Sequence, residues 1–331
     1  MCNTVRFSTQ VSLPLEFLYD ILDENSYIFS KYLLCNNFDR QSILKVVVSD
    51  INQKLSKKSV YKLYSMLCDK SLHFLILSEK SVWDTNHFNI SIVKSSYLLF
   101  KRDVDVKSRV NAFSVLKEHL KKENIQLFIL RIPLQDTKTI YAIEQENANL
   151  ADVLITLMLR TSDYTKSNLR YAKFKNRYII ETANKDDIHE LMMLAANIFE
   201  FDHFHNDPRL PREKSDSLFS EWIKNSIIGK LADVVFVARV QEKIAGFITC
   251  KIKYINSKYF YGVIDLIGVS EKYRQRGLGL NLMKKAIYWF IDNNVPCVFI
   301  GTQASNIPAL RLYEKLGFRI VSTEGTYHLW L

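Results

Sequence analysis

The residue types and spacing most suited to chemistry lie at Arg274-Gln275-Arg276-Gly277-Leu278-Gly279. Two glycines let a backbone approach a ligand closely, and two arginines add charge-assisted hydrogen bonds to an anion. The pattern around them predicts a strand ending near Val269, a turn, and an amphipathic helix from Leu278. The first amides of a helix are unpaired and point outward, and with the helix dipole they make an anion site. A pyrophosphate suits such a site; an ordinary surface turn is the plain alternative. A Walker loop is excluded because no Gly-Lys-Ser/Thr follows. A Rossmann turn is excluded because Leu282 stands where a third small residue is needed.

The elements around the turn read as an α/β (α+β) arrangement, a mixed sheet flanked by helices. Downstream come the helix 278–293, a strand over 297–301, a helix over 307–316 capped by Gly317, and two closing strands at 318–322 and 326–331. Upstream come a strand over 177–182, helices over 186–199 and from Pro211, and strands over 234–240, 244–252 and 259–269. None of the nine glycines precedes Gly229, so tight turns and close backbone approaches are concentrated in the last third. Residues 116–159 look like a faded copy of 286–329: helix, polar turn, apolar strand, loop, helix, closing strand. The copy lacks glycine at the phosphate turn, which implies a half without coenzyme binding. Residues 1–79 read as a mostly helical extension. The expected domains are therefore 1–79, 80–165 and 166–331.

Composition narrows the partners. The chain has 331 residues, 48% of them apolar, and a formal net charge of +10. A basic balance suits anionic partners, and the absence of long Lys/Arg runs favours phosphorylated metabolites over nucleic acid. No apolar run is long enough for a membrane helix, and 1–17 lacks the pattern of a secretory signal. The five cysteines form no C-x-x-C pair. That spacing argues against a metal site and a disulfide framework, and for a reduced, cytoplasmic setting.

Arg274, Gly277 and Gly279 match the Arg/Gln-x-x-Gly-x-Gly/Ala signature of the GNAT N-acyltransferases. Asn306, Ala309, Tyr313, Gly317 and Phe318 match a second motif of that family. The region from about Tyr171 onward resembles a GNAT domain. The resemblance implies acyl-CoA as cosubstrate and no metal. Ile267 and Val269 would pair with the pantetheine arm as an added strand, in the manner of β-augmentation. The amides and side chains of Arg274, Gln275, Arg276, Gly277, Leu278, Gly279 and Leu280 would hold the pyrophosphate, and Asn306 the coenzyme arm. Tyr313 would protonate the departing thiolate, a phenol near pKa 10 serving a thiol near 8.5; its bland reading is a core residue. His205, Asp207, Asp265 and His87 are open candidates for the base.

The segment from Phe204 to Trp222, and Trp83-Asp84-Thr85-Asn86-His87-Phe88, resemble stretches of the dTDP-fucosamine acetyltransferase family. The implied acceptor is the amine of a dTDP-linked amino-dideoxy sugar, taking an acetyl or short hydroxyacyl group such as 3-hydroxybutanoyl. Acceptor contacts would come from Trp83, Asp84, His87, Phe88, His205, Asp207 and Arg209. Neither nucleic acid nor membrane is an expected partner, and a homodimer is the base-rate state. The alternatives are a protein or tRNA acyltransferase of the same superfamily and a non-catalytic CoA-binding module.

Overall fold

The computed structural model describes residues 14–25, 27, 34–35, 39–68, 71–164, 178–255 and 259–331. The chain forms two compact units: 1–154 with 322–331, and 155–321.

The first unit contains α1 (Leu15–Glu24), α2 (Arg40–Ser56), β1 (Tyr61–Cys68), β2 (Ser71–Lys80), α3 (Val82–Phe88), β3 (Ile92–Phe100), α4 (Val106–Lys122), β4 (Leu127–Pro133) and α5 (Thr137–Gln145). Strands β1, β2 and β3 pair antiparallel, and β3 pairs parallel to β4. The second unit contains β6 (Ile179–Thr182), α6 (Ile188–Ala196), α7 (Arg212–Ile227), β7 (Val234–Val240), β8 (Lys243–Tyr254), β9 (Phe260–Ile264), β10 (Ile267–Val269), α8 (Leu278–Asp292), β11 (Cys297–Gln303) and α9 (Ile307–Lys315). Strands β6 to β9 pair antiparallel in order, and β9 runs parallel to β11.

Two strands cross the division. β5 (Asn149–Arg160) leaves the first unit and lies beside β11, where Leu157 and Leu159 join the core of Phe290, Val298 and Phe318. β12 (Arg319–Trp330) returns and pairs antiparallel with β4, placing Tyr327 and Leu329 in the core of Phe113, Phe128 and Leu130. Each unit is thus closed by a strand that follows the other's last helix. The repeat read in the sequence is visible in the elements. Leu127 and Cys297, Thr137 and Ile307, and Asn149 and Arg319 open matching elements 170 residues apart. The left-handed residues Asn124 and Asn294, and Asn147 and Gly317, keep the same spacing.

Three expectations change. Residues 1–79 are not a separate helical extension: β1 and the start of β2 lie within them and belong to the first sheet. The apolar residues of 61–80 alternate too irregularly to separate strand from helix by period alone. The two closing strands are one, β12. Gly325 is no turn there; a Cβ at that position would lie 2.8 Å from the Tyr327 ring and 3.2 Å from Leu150. Cys35 and Cys297 are each disulfide-bonded, where the sequence argued against a disulfide framework. No helix among the described residues is long and apolar enough to cross a membrane.

The crossing of β5 makes a stability prediction. Leu157→Ala empties a fully buried position of the second unit and is expected to cost about 2–5 kcal/mol. A fragment beginning at Tyr178 lacks β5 altogether and is expected to show no cooperative urea transition. A cooperative transition with native helical circular dichroism would show that β5 is dispensable.

Candidate active site

The second unit builds its site at the end of β10. β8 pairs with β9 in one register and with β10 in another, so Asp265 and Leu266 stand opposite Thr249 alone. This is a β-bulge, a device that bends a strand and re-aims side chains. Thr249 secures it: its amide donates to the Leu266 carbonyl at 2.9 Å, and its Oγ1 accepts from the Leu266 amide at 3.0 Å. The parallel ladder between β9 and β11 ends at the Ile264–Ile300 pair, and β10 follows β8 instead. The Ser270 amide donates to Ala245 on β8, so by strand alternation the amides and carbonyls of Ile267 and Val269 face the open side. Gly246 permits the approach of β10, since a Cβ there would lie 2.7 Å from the Gly268 carbonyl.

The glycine turn follows. Gln275 and Gly277 are both left-handed, at φ 60° and 79°. Gly277 is the N-cap of α8 and offers no side chain to the first amides. The amides of Leu278, Gly279 and Leu280 have no acceptor among the described residues. Arg274, Gln275 and Arg276 are exposed, and the Arg274 Nε donates to the Val269 carbonyl at 3.2 Å, tying turn to strand. Helix α8 is fixed by Leu282, Met283, Ala286, Ile287 and Phe290, an apolar stripe at helical spacing buried in the core. The arrangement is an anion cradle beside an open strand edge.

Helix α9 carries the second motif. Asn306 caps it, its Oδ1 accepting from the Ala309 amide at 3.3 Å, which leaves Nδ2 to donate elsewhere. Tyr313 is 2% exposed in the core beside Phe318. Burial pushes its phenol above the ordinary tyrosine range, so it is a neutral donor at physiological pH. The close match to a thiol inferred from the sequence is therefore loosened in the coenzyme-free site. Asn281 was not singled out by sequence. It is 2% exposed on the first turn of α8, donates to the Tyr178 hydroxyl, and has an unpartnered Oδ1. An amide amid an apolar stripe was the available signal.

The acceptor candidates divide between the units. Trp83, Asp84, His87 and Phe88 belong to the first. There Asp84 is buried and bonded to Ser81 and Lys94, and Phe88 is buried. Trp83 stacks on His87 and stays 42% exposed. Asp84 and Phe88 thus hold α3 in place, and Trp83 and His87 remain as surface groups. His205, Asp207 and Arg209 belong to the second. His205 is not a free base: Nδ1 meets Asp202 and Nε2 meets Asp216 at 2.9 Å. Burial opposes charge on that ring, but the two carboxylates outweigh it and raise its pKa. Asp207 is buried and accepts from the Arg209 amide at 2.9 Å, while Arg209 is exposed. Asp265 sits in the bulge itself. Burial raises its pKa, and Lys253 and Lys251 partly offset the rise.

In the first unit the equivalent places are filled. The Asp105 carboxylate accepts from the Ser108 amide at 2.7 Å, occupying the start of α4. Arg109, at the fourth position of α4 as Asn281 is of α8, is buried and bonds Asp136 at 2.9 Å and also Thr139. Ile143 stands 170 residues before Tyr313, and Asp136 before Asn306. At these matching positions the first half has a side-chain-capped helix start in place of the glycine cap and isoleucine in place of the phenol.

Comparison with known proteins agrees with this geometry. Residues 192–318 match the acetyltransferase (GNAT) family. The second unit is accordingly an acetyltransferase domain of the GNAT family, whose members are acyl-CoA-dependent N-acyltransferases. Over 301 residues the chain is 22% identical to the spore coat polysaccharide biosynthesis protein SpsD of Bacillus subtilis (strain 168), covering 90% of this chain and 98% of that one. Over 83 residues it is 41% identical to N-alpha-acetyltransferase 30 of Homo sapiens, 25% of this chain and 23% of that protein. A tandem GNAT protein from the clavulanic acid biosynthesis pathway shares the fold, at TM-score 0.55 and 11% identity over 81% of this chain and 82% of that one. No group of His, Cys, Asp and Glu suited to a metal occurs among the described residues.

Two measurements follow. The His205 pKa is raised above its unfolded value near 6.5, so its contribution is full below about pH 6.5 and is lost as pH rises through the folded value. Wild-type urea midpoints should fall across that upper window, and His205→Gln should be lower at pH 6 and flat above. An unchanged pH dependence in the variant would remove His205 as the source. Gly277→Ala forces a Cβ into left-handed backbone, costing about 1–2 kcal/mol locally. It should weaken CoA binding more than Gly279→Ala, whose Cβ would stand 3.4 Å from Leu312. Equal losses would show that the turn conformation does not matter.

Proposed function

We propose that the second unit transfers an acyl group from acyl-CoA to the amine of a nucleotide-linked amino sugar, of the dTDP-amino-dideoxy class. The observation that carries the transferase part is the bare amide cradle of Leu278, Gly279 and Leu280 beside the open edge of Ile267 and Val269. The cradle suits the pyrophosphate, the edge suits the amide groups of a pantetheine arm, and the Asn306 Nδ2 can reach the same arm. The sugar part is supported by likeness along nearly the whole length of SpsD, a protein named for polysaccharide biosynthesis.

The reaction requires a neutral amine, a polarised thioester carbonyl and a proton for the leaving thiolate. Asp265, displaced by the bulge and raised by burial, accepts the amine proton directly or through water. The outward amide of Val269 or Ile267 stabilises the developing oxyanion. Tyr313 supplies the proton to sulfur as the C–S bond breaks. The first unit takes no coenzyme in this scheme and acts as a structural half. A second reading, acylation of a protein N-terminus, is favoured by the local identity to N-alpha-acetyltransferase 30.

Purified full-length protein should release free thiol from acetyl-CoA or 3-hydroxybutanoyl-CoA when given dTDP-amino sugars. Absence of turnover across such a panel, with CoA bound, would sink the sugar reading, and turnover on peptide amines would establish the second. Tyr313→Phe and Asp265→Asn should each lower kcat by roughly 100-fold or more while CoA affinity stays the same. A variant with wild-type kcat would take that residue out of the mechanism.

A further inference from the structure

The face of the second sheet that carries Asp265 also carries two lysines that no motif explains. On β8, Lys251 stands opposite Val263 and Lys253 opposite Tyr261, and residues directly opposite in an antiparallel pair share a face. The other face is the α8 side, where Ile248, Cys250 and Ile264 enter the core and the Phe290 ring lies against Gly262. Strand alternation therefore places Lys251, Lys253, Tyr261 and Val263 on the side away from α8. Asp265 follows Val263 by two residues and keeps that side. The charge of both lysines reaches its carboxylate.

The lysines are not spent on structure. Among the described residues neither forms an ion pair. Among the described residues the Lys251 ammonium donates to the carbonyl of Lys230, at a long 3.4 Å, and Lys253 is exposed. Two like charges on one strand face repel each other and are normally diluted by acidic neighbours. Here the acidic neighbours are Asp265, at the open strand end, and Asp233 beside Lys251, whose carboxylate accepts from the Ile252 amide at 2.6 Å. Tyr261, opposite Lys253 at the end away from Asp265, provides an aromatic surface, its own ring held edge-on to Phe299 at 5.4 Å.

We infer that Lys251 and Lys253 anchor the phosphates of the acceptor, and so select amines that carry a nucleoside diphosphate. The inference rests on the acyltransferase reading above and adds the determinant of acceptor choice. Its geometry is consistent with one ligand lying along the sheet. The two lysines are about 7 Å apart along β8, near enough for their long, flexible side chains to converge on one diphosphate. Asp265 lies about 7–13 Å further along the strand direction from the rows of Lys251 and Lys253. A single sugar ring between diphosphate and amine fills that gap. Tyr261 lies beneath the diphosphate end. A free amino sugar would leave both lysines without a partner. A peptide N-terminus with basic residues would be repelled by them.

The test uses the full-length protein with dTDP as the probe. Its binding is measured by calorimetry, beside CoA binding on the same preparation. The wild type should bind dTDP, and Lys251→Gln with Lys253→Gln should weaken it at least tenfold with CoA affinity unchanged, which also reports that the variant is folded. Lys251→Arg with Lys253→Arg should restore most of the loss. In turnover, the Gln pair should raise the acceptor KM far more than it lowers kcat. No dTDP binding to the wild type, or equal binding by the Gln pair, overturns the inference. If the wild type turns over peptide amines or free amino sugars as well as the nucleotide-linked ones, the acyltransferase reading stands and the lysine assignment falls. Loss of CoA binding and of all turnover in the wild type would instead strike the acyltransferase reading itself.

Discussion

The site depends on one extra residue in one strand. Thr249 holds Leu266 with both its amide and its hydroxyl, and the register of β8 against the next strand shifts by one at that point. Without the shift, β10 would continue the ladder with β11, and the polar groups of Ile267 and Val269 would be consumed by the sheet. With it, the strand keeps its partner on one side and loses it on the other. Buried backbone groups must find partners, so an edge left open inside a unit is stable only where a ligand or water completes it. The bulge also leaves Asp265 half-buried beside the open edge. One local irregularity thus both opens the strand edge and sets where that carboxyl stands.

The two halves fill matching places differently. Both have a helix, a strand, a capped helix and a closing strand at matching positions, down to the left-handed asparagines at Asn124 and Asn294. In the first half, an aspartate caps α4 and a buried arginine spans Lys101, Val104, Asp136 and Thr139. An anionic cap and a satisfied guanidinium replace an unfilled cradle. Groups at these positions bind one another rather than standing open to a ligand.

Much of this was legible in the residues. The turn at Arg274–Gly279 and the Asn306–Phe318 motif are short, local, and dictated by backbone geometry, so their spacing survives in sequence. The repeat was legible because helix and strand periods recur at a fixed distance. The exchange of closing strands was not, because pairing partners far apart in the chain leave no local mark. β1 was missed since its apolar residues do not alternate cleanly. The roles of His205 and Asp84 were also out of reach. A histidine in a polar loop reads as a ligand or base until Asp202 and Asp216 are seen on its two nitrogens. Lys251 and Lys253 went unremarked because two lysines in a strand say nothing until the register shows what shares their face.

The returning strand β12 has a consequence for how the protein is made. The first unit contains residues 322–331, so its sheet and its core of Tyr327 and Leu329 stay incomplete until those residues leave the ribosome. The earlier half of the chain therefore waits for the later half, and β4 spends that interval with a bare edge. An exposed edge is a template for wrong pairing. The nearest competing strand is β5, which has the same place in the repeat and is synthesised first. Faithful assembly requires β5 to join the second unit rather than β4, so the order in which two similar strands find their sheets becomes part of the folding problem.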